Sequence, residues 1–220
     1  NSVGEIACPA AVGMIRSDYH VDSGDPAMPR LFTALEIPAD AAMSLSLLRG
    51  GLPGARWIDV ENYHLTLRFV GDIDGPVADE LIHALDRIDR RPFTLSLTSV
   101  GSFGSKKPHS IWAGVSPSPE LMALQAEIAR ICERLGLPAD PRKFAPHVTL
   151  ARLRHARLED VVNYLHAFGN FRTMPFTVNR FVAGSRSSNP LRARSRSEPE
   201  GRGAGRGPSP RSGPVSGTPR

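Results

Sequence analysis

The chain has little cysteine and no long apolar run. Only 2 of its 220 residues are cysteine, Cys8 and Cys132, which excludes a disulfide framework or a cysteine-rich metal site and is typical of a reducing compartment. No apolar stretch approaches the ~20 residues that a membrane-spanning helix needs. Residues 1–28 lack the cationic start and apolar stretch of a secretory signal. We therefore expect a cytoplasmic protein with no membrane partner.

The domain also lacks an excess of positive charge, although the whole chain has a formal net charge of +5. Residues 185–220 contain eight arginines and two glutamates, a net charge of +6, so that the rest of the chain carries −1. The basic character therefore belongs to the tail and does not by itself make the domain a nucleic-acid-binding protein.

The composition divides the chain into three segments. Residues 1–27 have no sustained period and several turn formers, and we expect a disordered extension with Met28 as the start of the native domain. Residues 28–184 carry the patterns of strands and helices. Residues 185–220 are dominated by Ser, Arg, Gly and Pro, which cannot bury a core, so we expect a disordered tail.

The middle segment consists of two similar halves, about 28–100 and 110–184, each with the order β-α-β-α-β. This order predicts an α+β fold with a bilobal pseudo-twofold duplication, in which two antiparallel-rich sheets with outer helices surround a central cleft. The predicted strands are 29–37, 63–70, 93–100, 110–115, 147–153 and 174–183, and the predicted helices are 39–48, 77–88, 119–135 and 158–168.

Two short phrases recur at one spacing. His64–Arg68 (HLTLR) is echoed by His147–Arg152 (HVTLAR), and Pro92–Leu95 (PFTL) is echoed by Pro175–Val178 (PFTV), in both cases 83 residues later. Two independent matches at one offset indicate an internal duplication. A duplicated His-x-Thr gives a fold two similar histidines that can face each other.

Alternation along a strand predicts which residues of each copy share a face. In the first copy the polar face contains His64, Thr66 and Arg68, and the apolar face contains Leu65, Leu67 and Phe69. In the second copy His147 and Thr149 point outward. Parity alone would turn Arg152 inward, so its presence beside these residues requires a bulge or the end of the strand.

Two other interpretations compete with a catalytic pair. A single His-x-Thr also fits an exposed strand face with cross-strand hydrogen bonds, because short motifs match by accident; the duplication favours function. Neither histidine has a His, Cys or carboxylate partner at metal-ligand spacing within its strand, so the pattern does not favour a metal site.

Two imidazoles that titrate near neutral pH suit the opening of a cyclic phosphodiester. One ring accepts a proton from water and the other donates a proton to the leaving ribose oxygen, on opposite sides of the phosphorus. Thr66 and Thr149 could donate hydrogen bonds to the non-bridging oxygens, and Arg152 could add positive charge. The two motifs are nearly symmetric, so the residues alone do not assign acid and base.

A few residues have weaker interpretations. Phe144, just before the second motif, is a candidate for stacking on a base. Residues 103–109 form a basic loop between the halves that fits either a phosphate contact or a solvated loop. Trp57 and Trp112 are predicted in the core or the cleft wall, and His83 and His166 are predicted to be structural or solvated.

Both motifs and their flanks resemble the two-histidine phosphoesterase superfamily, and in particular its bacterial RNA 2′,3′-cyclic phosphodiesterase branch, also called 2′-5′ RNA ligase. The resemblance covers about Met28 to Gly184 and is specific because the matching stretches occur in order. These stretches are Arg30–Leu35, Gly54–Trp57, Asn62–Gly71, Ile111–Val115 and Phe144–Arg152.

The resemblance implies a bilobal fold with a central active site that hydrolyses the 2′,3′-cyclic phosphate of RNA ends to a 2′-phosphate. It implies His64 as proton donor and His147 as proton acceptor, no metal or nucleotide cofactor, and a reversible 2′-5′ ligase activity. We expect RNA ends or small cyclic phosphates as partners, and a monomer. Hydrolysis of small cyclic nucleotides, or a non-catalytic RNA- or nucleotide-binding module, remain the alternatives.

The chain departs from the family pattern at both ends. At the N-terminal end, residues 1–27 have no counterpart in the family pattern. Family members continue beyond the position of Ala183 into a Ser-Arg turn and one further apolar strand, whereas the sequence from Asn189 onward does not encode such a strand. A missing strand predicts an open sheet edge and less apolar burial.

Overall fold

The computed structural model describes residues 17–20 and 30–186 and has ten strands, four α-helices and one 3-10 helix there. The strands are β1 (Ser17–His20), β2 (Arg30–Glu36), β3 (Ala55–Trp57), β4 (His64–Asp72), β5 (Phe93–Leu95), β6 (Leu97–Phe103), β7 (Ser110–Val115), β8 (His147–Leu153), β9 (Phe176–Val178) and β10 (Phe181–Arg186). The α-helices are α1 (Ala39–Ser46), α2 (Gly75–Leu85), α3 (Pro119–Arg134) and α4 (Leu158–Phe168), and the 3-10 helix is Val60–Asn62.

Seven strands form one sheet in the order β1-β10-β2-β4-β8-β7-β6, β3 joins it by pairing with β8, and β5 and β9 form a second sheet. The α+β class is thus confirmed. The main sheet runs across both halves, where the sequence predicts a separate sheet for each, because β4 and β8 pair directly. The bilobal shape stays a prediction.

The duplication is visible in the order of the strands. An offset of 83 residues carries α2 onto α4 and β5 onto β9 residue for residue, and it brings β6 close to β10. In the sheet, however, β10 lies beside β2, and β6 lies beside β7. The last strand of each sequence half therefore belongs to the other half of the sheet, and the pseudo-twofold axis passes between β4 and β8.

Local signals in the sequence position the longer helices. The side chain of Asp74 accepts a hydrogen bond from the Val77 amide, and Ser118 accepts one from Leu121, so that both α2 and α3 begin with a capping residue followed by proline in the first turn. One stripe of α3 is buried in the core; it consists of Leu121, Leu124, Ile128, Ile131 and Cys132.

The two halves of the sheet meet at one pair of buried residues. Leu65 on β4 is the register partner of Val148 on β8, and both side chains are fully buried. Their burial turns the neighbouring polar side chains of both strands to the opposite face of the sheet. The core beneath this seam therefore fixes the direction of both His-x-Thr motifs.

A β-bulge in β8 sets the direction of Arg152. The register between β8 and β7 shifts by one residue between Thr149 and Ala151, so that Leu150 and Ala151 are both buried. Arg152 then returns to the exposed face of His147. This is the irregularity that the sequence analysis requires for Arg152 to lie beside the histidine.

The same bulge occurs in β4 and reverses one prediction. The register with β2 shifts after Thr66, and Leu67 and Arg68 are both buried. Phe69 is 51% exposed. The prediction that Phe69 lies opposite His64 is wrong, because the bulge interrupts the alternation between them, and Arg68, predicted on the face of His64, is buried.

The edge of the main sheet also differs from the prediction. Ser17–His20 forms β1 and pairs in parallel with β10, so the predicted disorder of residues 1–27 is wrong for these four residues. β10 therefore has a strand on each side, β1 and β2. Residues 1–16, 21–29 and 187–220 lie outside the described residues. No helix in the described ranges is long and apolar enough to cross a membrane.

The seam between the halves predicts a large effect of truncating Leu65. Replacing Leu65 with alanine leaves a cavity under both motifs and should lower the free energy of unfolding by about 2–5 kcal/mol, measured by urea denaturation. Leu47→Ala is the matched control, since Leu47 is 77% exposed and its truncation should change stability by no more than about 0.5 kcal/mol. Equal effects of the two substitutions would contradict a packed seam.

Candidate active site

The two histidines have the same local geometry. The Nδ1 atom of His64 lies 2.7 Å from the carbonyl oxygen of Asn62, and Nδ1 of His147 lies 2.7 Å from that of Ala145. A carbonyl oxygen only accepts, so each Nδ1 carries the proton and donates it. Each Nε2 is therefore the nitrogen suited to acid–base chemistry.

The seam also determines how the four motif residues face one another. Continuing the Leu65–Val148 register by one residue in each direction sets His64 across from Thr149, and Thr66 across from His147. In an antiparallel pair, diagonal neighbours lie about 7–8 Å apart. The two imidazoles thus lie on one diagonal and the two hydroxyls on the other, an arrangement that a single phosphate group can fit.

All six residues predicted for the site line one cavity of about 580 Å³. The predicted residues are His64, Thr66, Phe144, His147, Thr149 and Arg152. Both threonines are half-buried, as are Phe144 and the two histidines, while Arg152 is exposed at the edge. The structure thus brings together residues from strands 83 positions apart in the sequence.

The environment of His147 favours its neutral form. Burial lowers the pKa of this imidazole below its ordinary value, and the positive charge of Arg152 lowers it further, against the opposing effect of the Ala145 carbonyl. The Phe103 ring packs edge-on against His147 at 4.8 Å between ring centres, and Trp112 lies at 6.4 Å. These ring contacts are part of the burial of the imidazole.

The two halves of the site differ at the position after each bulge. Phe69 in β4 corresponds to Arg152 in β8, and both line the cavity. Phe32 lies beside this region, with its ring centre 5.3 Å from that of His64 and 6.4 Å from that of Phe69. This equivalent position therefore carries an aromatic ring in the first half and a cation in the second. Phe69 is not among the predicted site residues, although the 83-residue offset applied to Arg152 leads to it.

Arg68 lines the cavity from β4 and is bonded to the opposite segment. Its guanidinium group is nearly buried, donates to the carbonyl oxygen of Pro138 and lies 3.9 Å from the Asp140 carboxylate. These contacts tie β4 to the segment that leads to Phe144 and His147. Arg68 is thus placed to position this wall of the cavity.

The remaining candidates either lie at the cavity wall or in the core, or are exposed on helices. Of the loop 103–109, Phe103, Gly104 and His109 line the cavity. Trp57 is half-buried against Tyr164, and Trp112 is half-buried beside His147, as predicted for core or wall residues. His83 in α2 and His166 in α4 are exposed and line no part of this cavity.

Among the residues that the structure describes, no cluster of three or more His, Cys, Asp or Glu could hold a metal ion.

Comparison with known proteins gives one family. The family model described as LigT like Phosphoesterase matches residues 35–112 and 114–193. A curated protein of Geobacillus stearothermophilus named RNA 2′,3′-cyclic phosphodiesterase is 34% identical over 128 residues, 55% of this chain and 41% of that protein. One of the same name from Aeropyrum pernix is 35% identical over 128 residues, 57% of this chain and 72% of that protein.

Solved structures give the same result. LigT of E. coli, crystallised in complex with 3′-AMP, superposes with a TM-score of 0.60 at 26% identity, over 73% of this chain and 90% of that chain. The chain spans less than half of the Geobacillus relative but most of the E. coli structure. The two ranges matched by the family model contain the two His-x-Thr motifs, one in each, and the chain belongs to the LigT-like phosphoesterase family.

Proposed function

We propose that this protein hydrolyses the 2′,3′-cyclic phosphate at RNA ends to a 2′-phosphate. The observation that carries the proposal is the seam geometry, which sets two imidazoles on one diagonal and two hydroxyls on the other within one cavity. The relatives named RNA 2′,3′-cyclic phosphodiesterase support the choice of substrate.

His147 acts as the base and His64 as the acid. The Nε2 atom of His147 takes a proton from water, whose oxygen forms a bond to phosphorus. The bond to the 3′ oxygen breaks on the opposite side, and this oxygen takes a proton from Nε2 of His64. The lowered pKa of His147 supports this direction, because a base must be neutral before it can accept a proton.

The other cavity residues bind the phosphate and the nucleoside. The hydroxyls of Thr66 and Thr149 donate to the non-bridging oxygens, and Arg152 stabilises the negative charge that they gain in the transition state. Phe144 stacks on the terminal base. If the 5′-hydroxyl of a second RNA replaces the attacking water, the same steps give a 2′-5′ phosphodiester. This is the 2′-5′ ligase activity that the resemblance to the family implies.

Each histidine should be essential to hydrolysis. Replacing His64 or His147 with alanine should lower kcat by about 10²–10⁴-fold, the usual contribution of a positioned acid or base, on an RNA oligomer ending in a 2′,3′-cyclic phosphate. Thr66→Ala and Thr149→Ala should reduce the rate less. The wild-type rate should be the same with EDTA, since both proton transfers use imidazoles, and the product should carry a 2′-phosphate.

His83→Ala and His166→Ala serve as controls, because these histidines also lie 83 residues apart but are exposed on helices. They should leave the rate unchanged. A 3′-phosphate product, or a reaction that the chelator abolishes, would contradict the mechanism. Hydrolysis of cyclic mononucleotides without activity on oligomers would instead favour the small-substrate alternative.

The Arg152 charge predicts a shift in pH dependence. Replacing Arg152 with glutamine removes a cation that disfavours the imidazolium, so the pKa of His147 should rise towards its ordinary value. A base is inactive below its pKa, and the acidic limb of the pH–rate profile should therefore move to higher pH. NMR titration of His147 measures the same shift directly. Arg154→Gln, two residues further along, should leave the His147 titration unmoved; a downward shift in R152Q would rule out the assigned electrostatic effect.

A further inference from the structure

A second cavity of about 650 Å³ lies beside the first. Four residues line both cavities, so the two meet at this boundary: Ile58, Asn62, His64 and Arg152. His147 and the two motif threonines do not line the second cavity. The second cavity is therefore on the His64 side of the site.

Three arginines converge on this second cavity. Arg56 on β3 is the register partner of Arg152 on β8, and Arg154 follows two residues later; all three are exposed. Like charges on facing positions of two strands repel. Within the described ranges, none of the three guanidinium groups has a carboxylate within ion-pair distance. This cluster fits an anionic ligand better than it fits a role in stability.

Carboxylates do not cancel this charge. Glu36, Asp59 and Glu61 also line the cavity. Glu36, however, pairs with Arg180. Asp59 lies 3.8 Å from Arg49, and neither of these two arginines lines the cavity. Arginines outside the cavity thus offset two of the three carboxylates. Glu61 is left against three guanidinium groups, so the cavity has a net positive charge.

The direction of the proposed reaction explains why an RNA chain would enter here. Attack and departure are in line at phosphorus, so the ribose that holds the leaving 3′ oxygen lies on the side of the acid, His64, and water lies on the side of His147. The nucleotides that precede the terminal ribose must leave from the ribose side. The arginine-lined cavity begins at His64 on that side.

We infer that the cavity of Arg56, Arg152 and Arg154 binds the phosphodiester backbone immediately 5′ of the cyclic end, so that the protein selects RNA oligomers over cyclic mononucleotides. The inference rests on the proposed function for the identity of the reacting end. Guanidinium groups bind phosphate through paired, charge-assisted hydrogen bonds.

The test compares two substrates in two proteins. For the wild type, kcat/KM should be higher for a trinucleotide with a 2′,3′-cyclic end than for the cyclic mononucleotide. In the Arg56→Gln/Arg154→Gln double variant, the ratio of these two values should fall about tenfold or more, the scale of one or two charge-assisted contacts. The slope of log kcat/KM for the trinucleotide against log salt should decrease by about 1.4, since each phosphate contact on a single strand contributes about 0.7.

Arg130→Gln/Arg134→Gln is the control, because it removes the same charge from two residues of α3 that line neither cavity. It should leave the substrate ratio unchanged. A wild-type ratio near one, or an equal loss on both substrates in the double variant, would overturn the inference while leaving the proposed function intact.

Binding separates failure of the inference from failure of the proposed function. If the wild type hydrolyses neither substrate, the proposed function fails. The affinity for a trinucleotide ending in a 2′-phosphate, followed by fluorescence anisotropy, still tests the cavity. A loss of affinity in the Arg56→Gln/Arg154→Gln variant supports the subsite, and an unchanged affinity overturns it.

Discussion

The site depends on the pairing of Leu65 with Val148. These buried side chains join the two halves of the sheet, and burying each contributes about 1.5–3 kcal/mol. A one-residue slip of either strand would turn its histidine into the core and its apolar residues into the cleft. The same hydrophobic contact that stabilises the fold therefore fixes the register of the acid–base pair.

Duplication explains both the symmetry of the site and its asymmetry. The two Nδ1–carbonyl contacts and the two bulges occur at equivalent positions, so each half presents an imidazole in the same way. The position after each bulge has diverged to Phe69 in one half and Arg152 in the other. The cation in the second half lowers the pKa of His147, which distinguishes the base from the acid on the opposite side of one phosphate.

Local patterns in the sequence predict the two strands that carry the histidines, but they do not predict which distant strands pair in the sheet. Strict alternation gave the faces of His64 and His147, because each strand buries one face. The two consecutive apolar residues Leu150 and Ala151 indicate a bulge in the second strand. The equivalent pair in the first strand is Leu67 and Arg68, and a charged residue at the buried position gives no such indication. The exchange of β6 and β10 between the halves, and the pairing of β1 with β10, depend on contacts between distant segments that no local pattern records.

A crystal structure with a uridine–vanadate complex would test the central claim most directly, because pentavalent vanadium adopts the geometry of in-line displacement at phosphorus. The account predicts one vanadium atom with apical oxygens at Nε2 of His64 and Nε2 of His147, and with the hydroxyls of Thr66 and Thr149 at its equatorial oxygens. Vanadate bound with both imidazoles on the same side, or away from either one, would contradict it.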